Sequence, residues 1–121
     1  MGRLFTQYGV SYGRTGLAPA GQTIYDTVAR LVRPYPFNMT VIGAREIDHP
    51  TTQAGEGLLF RSLHLTAAQK AQVLADLQRA LYVAPRRFRV ILAREGARNE
   101  AFEATIRPGL TGLTAYDLRD I

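Results

Sequence analysis

A chain of 121 residues, 46% apolar and 21% charged, has the size and composition to bury one hydrophobic core, and neither a disordered chain nor two domains is expected. It holds no cysteine, which excludes disulfide staples, thiolate zinc sites and cysteine nucleophiles, and no apolar run nears the roughly 20 residues of a membrane-spanning helix or resembles a signal peptide, so a soluble protein of the cytoplasm or of a virion is expected. The formal charge is +5, Lys70 is the sole lysine among fifteen cationic side chains, and residues 1–45 set five arginines against Asp26 alone.

Arginine's planar fork suits phosphates, carboxylates and ring stacking. A GC-rich coding sequence would raise arginine over lysine with no such purpose, and composition does not separate the two.

In chain order, the alternation of Leu4, Tyr8, Val10 and Tyr12 against Gln7, Gly9 and Ser11 predicts a strand over 4–12. Gly16, Pro19 and Gly21 then read as breakers that end a basic N-terminal segment, 1–21. Ile24, Val28, Leu31 and Val32 carry helical spacing, with Thr23 as N-cap and Pro34 beyond the end. The β-branched content of 37–45 predicts a strand, and the polar segment 46–57, broken by Pro50, Gly55 and Gly57, reads as a long exposed loop before a strand over 58–65.

Thr66 and Gln69 form a capping-box pattern, which opens a helix over 67–82 with Val73, Leu74, Leu77 and Leu81 as its apolar stripe. After a break at Val83–Pro85 come a strand rich in arginine and aliphatic residues and a second with Phe102, Ala104 and Ile106 on one face, joined by a turn at Gly96–Asn99. The tail, 108–121, keeps Leu110, Leu113, Tyr116 and Leu118 without a clean period, and is expected to pack on something. The sum is a single α+β domain: a mainly antiparallel sheet with two helices on one face. A ferredoxin-like split arrangement with an added C-terminal hairpin strand fits the element order.

No sequence constellation is specific for chemistry. Asp48 and His49, with Glu46 and a folded-back His64, would make an oxygen and nitrogen metal site, but polar loop residues need no such role. Ser62 and His64, two apart on one strand, offer the minimum for a nucleophile and base, without an orienting acid or a nucleophile elbow around them. Glu95, Glu100 and Glu103 lie among arginines near the hairpin turn and read as a solvated, charge-mixed hairpin. No cofactor, metal or membrane partner is expected.

Arg3, Tyr8, Tyr12 and Arg14 mix rings and guanidinium groups as single-strand binders do, although alternating strand aromatics also serve as core. Arg87 and Arg89 share one strand face, where they can meet phosphates, a partner's carboxylates or water. No residue-level motif identifies a family. The coarse pattern of two helices, a sheet, a long inter-strand loop and a final hairpin resembles small ring-forming subunits of the bacteriophage head-to-tail junction and tail end, which implies assembly rather than chemistry.

The leading expectation is therefore a non-enzymatic subunit contacting copies of itself and other subunits through its N-terminal arm, the 46–57 loop with Asp48 and His49, and the tail. The alternative is a nucleic-acid-binding module using Arg3, Tyr8, Tyr12, Arg14, Arg87 and Arg89. A small hydrolase at Ser62 and His64 comes third.

Overall fold

The computed structural model describes residues 1–47, 49–81, 87–107, 109–114 and 116–118. Their elements run β1 (Leu4–Thr6), α1 (Pro19–Leu31), β2 (Met39–Gly43), α2 (Pro50–Gln53), β3 (Gly57–Arg61), α3 (Ala67–Leu81), β4 (Phe88–Ala93) and β5 (Ala101–Ile106). The five strands form one mixed sheet in the order β1-β2-β3-β5-β4, parallel between β1 and β2 and antiparallel elsewhere. The architecture is α+β, as expected. The split arrangement is not the one adopted, because α1 returns β2 directly beside β1 with no strand between them. No helix among the described residues is long and apolar enough to cross a membrane.

The two sheet faces differ because successive side chains alternate. Met39, Val41, Leu58, Phe60, Phe88, Val90, Phe102, Ala104 and Ile106 are buried in one core with Ile24 and Val28 of α1 and with Val73, Leu77 and Leu81 of α3. The two helices also touch each other. On the opposite face lie Thr40, Ile42, Leu59, Arg61, Ile91 and Glu103, all half-buried, together with Phe5 and Arg89, which are exposed. No long helix covers that side, and α2 reaches only its Gly57–Thr105 end, where Thr52 packs.

Four local expectations change. The first strand stops at Thr6: Gln7 makes the last amide bond, to the Val41 carbonyl, and the chain then turns through Gly9 in the left-handed region (φ 89°) and leaves the fully exposed Tyr8 outside. α1 begins at Pro19, not Thr23. Proline serves there as a first-turn residue, and Gly21 gives the helix its closest approach, since a Cβ on it would lie 1.9 Å from the Gly55 carbonyl oxygen.

The 46–57 segment is no free loop. It holds α2, buries Thr52 and Glu56, and closes one end of the sheet, so two helices become three. The tail packs on its own core: Leu118 is buried, Leu110 and Leu113 lie against the core, and the Gly112 amide donates to Glu56 Oε2 at 2.8 Å.

The expected capping box is formed. The Thr66 hydroxyl accepts from the Gln69 amide at 3.2 Å while Gln69 Oε1 accepts from the Thr66 amide at 2.9 Å. The β4–β5 hairpin holds a continuous register from Phe88 opposite Ile106 to Ala93 opposite Ala101.

Candidate functional site

The N-terminal arginines and tyrosines do not converge on one surface. Tyr12 is half-buried, its hydroxyl 2.5 Å from the Thr6 hydroxyl and its ring edge-on to Tyr25 at 6.1 Å. Burial pushes its phenol up, so it acts as a brace inside the arm. Tyr8 and Arg14 are exposed. Arg3 sits elsewhere, at the start of β1, where it borders an open groove with Arg30 and Arg33 from the end of α1.

The reason for that meeting is local. Gly2 is buried so tightly that a Cβ would stand 2.2 Å from the Phe37 carbonyl oxygen and 2.5 Å from that of Val32. The Arg3 amide donates to Asn38 Oδ1 at 3.0 Å and its carbonyl accepts from the Met39 amide at 3.0 Å. Both pin the first strand against the C-terminal end of α1.

Hydrogen bonds tie the 46–57 segment and Arg45 before it into the fold. Arg45 donates from Nε to the Gly16 carbonyl at 2.9 Å and from Nη1 to the Gln53 carbonyl at 3.0 Å, tying the arm to α2. Glu46 spends both oxygens on backbone amides, those of Ser11 at 3.0 Å and Ala44 at 3.1 Å. His49 is the N-cap of α2, with Nδ1 accepting from the Thr51 amide at 3.3 Å, and His64 Nε2 lies 2.9 Å from the Asn38 carbonyl oxygen. Asp48 lies outside the described residues, and among those described no three His, Asp or Glu side chains gather as metal ligands.

The Ser62 and His64 pair is not brought together. Ser62 is fully buried and donates to Glu100 Oε1 at 2.6 Å, while His64 is exposed. Glu100 is the centre of a network that the sequence does not announce. At 2% exposure it also accepts from the Gly96 amide at 2.9 Å and pairs with Lys70 Nζ at 2.7 Å. The Gly96 amide, the Lys70 ammonium and the Ser62 hydroxyl hold its carboxyl down at about 2, so it is a fixed anion that locks the hairpin turn to α3. A second brace joins α3 to the α1–β2 connection: the Tyr35 hydroxyl donates to Asp76 Oδ2 at 2.5 Å, and burial, then that carboxylate, pushes its phenol up.

Arg89 lies on β4 and Arg87 immediately before it, at the opposite edge of the sheet from Arg3. Four strand spacings of about 4.8 Å set the two edges roughly 19 Å apart. Arg87 has a buried Nη1 without a hydrogen-bond partner among the described residues, and its charge adds slightly to the Thr114 amide and hydroxyl in lowering the Asp117 carboxyl. Arg89 is exposed on the face that α1 and α3 leave open, opposite Thr105. On that face Leu59, Glu103 and Ile91 stand side by side across β3, β5 and β4, and Phe5, 48% exposed, lies two strands from Leu59 on β1.

Comparison with protein-family models, with curated proteins and with solved structures found no match.

Sequence reasoning missed Arg30 and Arg33 as companions of Arg3. Their spacing of three on α1 was the available signal, but the third member comes from a different element. It also missed the half-covered sheet face, whose members alternate with core residues on four strands.

Proposed function

We propose that this chain is a non-enzymatic subunit of a larger assembly that meets copies of itself through the sheet face that α1 and α3 leave open. The observation that carries the reading is the row of Leu59, Glu103 and Ile91 with Ile42 beside it: three half-covered apolar side chains around a carboxylate, on a sheet whose other face packs against α1 and α3. Uncovered apolar surface rimmed by polar groups is what subunit contacts use.

Charge supports a contact between copies. Glu103 makes no hydrogen bond or ion pair with a described residue, and Arg61 and Arg89 stand two positions away along the neighbouring strands. A self-complementary contact sets such a carboxylate against the facing copy's arginines. The finer reading of a virion component rests on the sequence pattern alone, of which the fold keeps the sheet and the final hairpin but not the free inter-strand loop or the two-helix count.

The test is the native mass of the purified chain, with Ile91→Glu and Leu59→Glu as variants. An oligomer that both variants reduce to monomer, with secondary structure unchanged, supports the proposal. A closed ring of several copies supports the virion form and a dimer only the coarser one. A wild-type chain that stays monomeric at high concentration refutes the contact.

A further inference from the structure

The groove at the β1 edge carries a different inference. Arg3, Arg30 and Arg33 line it together with Met1, Gly2, Leu4 and Ala29, and its volume is about 510 Å3. No acidic side chain lines it. Among the described residues, none of the three guanidinium groups has a hydrogen bond or ion pair. The nearest acid in sequence, Asp26, is one helical turn before Arg30 and accepts instead from Gln22 Nε2 at 2.9 Å.

Four arginines elsewhere are employed internally: Arg45 on the Gly16 and Gln53 carbonyls, Arg61 on Gln7, Arg79 on Asp76, and Arg94 on the Asn99 carbonyl, while Arg14, Arg89 and Arg98 are exposed singly. The groove trio has no such use. Three like charges around one trough repel each other in the free protein, and a bound anion relieves that repulsion. The anchored Gly2 and Arg3 backbone fixes one wall, and guanidinium forks match phosphate oxygens two at a time.

We propose that Arg3, Arg30 and Arg33 form a binding site for the phosphodiester backbone of nucleic acid. The trough is open along the surface rather than closed around a small molecule, and it belongs to the segment where five arginines face a single aspartate. Backbone contact of this kind reads no sequence. The proposal does not depend on the assembly reading, which uses the sheet face that α1 and α3 leave open.

The test is fluorescence anisotropy of labelled single-stranded and duplex oligonucleotides between about 50 and 200 mM salt, with inorganic triphosphate as competitor. Three neutralised phosphates predict a slope of log affinity against log salt of roughly −2 for single strands and about −3 for duplex. Arg3→Gln should flatten that slope by nearly one unit, and the triple variant Arg3→Gln/Arg30→Gln/Arg33→Gln should bring it near zero. Arg98→Gln, exposed in the β4–β5 turn far from the groove, should leave it unchanged. Melting curves accompany each variant; Arg3 lies outside α1, so its single variant reads binding even if the helix end is weakened in the triple. An unchanged slope in a folded Arg3→Gln or triple variant overturns the site. Stabilisation by triphosphate without retention of either oligonucleotide overturns nucleic acid as its ligand.

Discussion

Glu100 is a carboxylate in a position that solvation would never favour, and three donors make its charge tolerable. Its folded carboxyl is lowered to about 2 from the usual 4.5, so protonation favours the unfolded chain. The stability it contributes is complete above pH 4.5 and is lost as pH falls from there towards 2. Acid titration followed by circular dichroism should show this loss, and Glu100→Gln should flatten that part of the profile while lowering stability at neutral pH. The single lysine of an arginine-rich chain serves this site, where a compact ammonium reaches a buried oxygen at 2.7 Å. Leu77 is fully buried under α3, and Leu77→Ala is expected to cost about 2 to 5 kcal/mol in chemical denaturation. Tyr8→Ala is expected to leave the melting temperature unchanged, because the ring touches solvent on all sides.

At the scale of elements, caps and braces decide how the helices sit. The reciprocal bonds of Thr66 and Gln69 satisfy two orphan amides at the start of α3, and Thr66→Ala should lower stability by about 1 kcal/mol in a urea melt. The 46–57 segment behaves opposite to its sequence pattern. A polar stretch with proline and glycine reads as a dispensable loop, but here Thr52 and Glu56 are buried and the Gly55 carbonyl accepts the Ala18 amide at 3.1 Å beside the start of α1. Glu56 also receives backbone amides from both β5 and the tail. Deleting 46–57 should therefore abolish the cooperative unfolding transition, whereas an exposed loop would be lost at little cost.

For the whole molecule, the two proposed surfaces use different parts of the sheet. The groove of Arg3, Arg30 and Arg33 lies at the β1 edge, and the half-covered row through Ile91 and Leu59 lies on the face that α1 and α3 leave open. Substitutions should separate the two. Ile91→Glu should change native mass and leave the salt slope of nucleic-acid binding intact, and Arg3→Gln should do the reverse. A single variant that moved both readouts would place the two surfaces in one interface.

Periodicity in the sequence was enough for the α+β class, the apolar stripe and capping box of α3, and the β4–β5 hairpin, because each depends on residues within one or two turns of the chain. The basic character of the N-terminal third was also legible from local composition. Tertiary structure alone decided the parallel pairing of β1 with β2, the burial of Thr52 and Glu56, the Ser62–Glu100–Lys70 network and the meeting of Arg3 with Arg30 and Arg33. Each of these joins groups far apart in sequence, and their energies come from desolvation and close contact, which no local pattern of polar and apolar residues encodes.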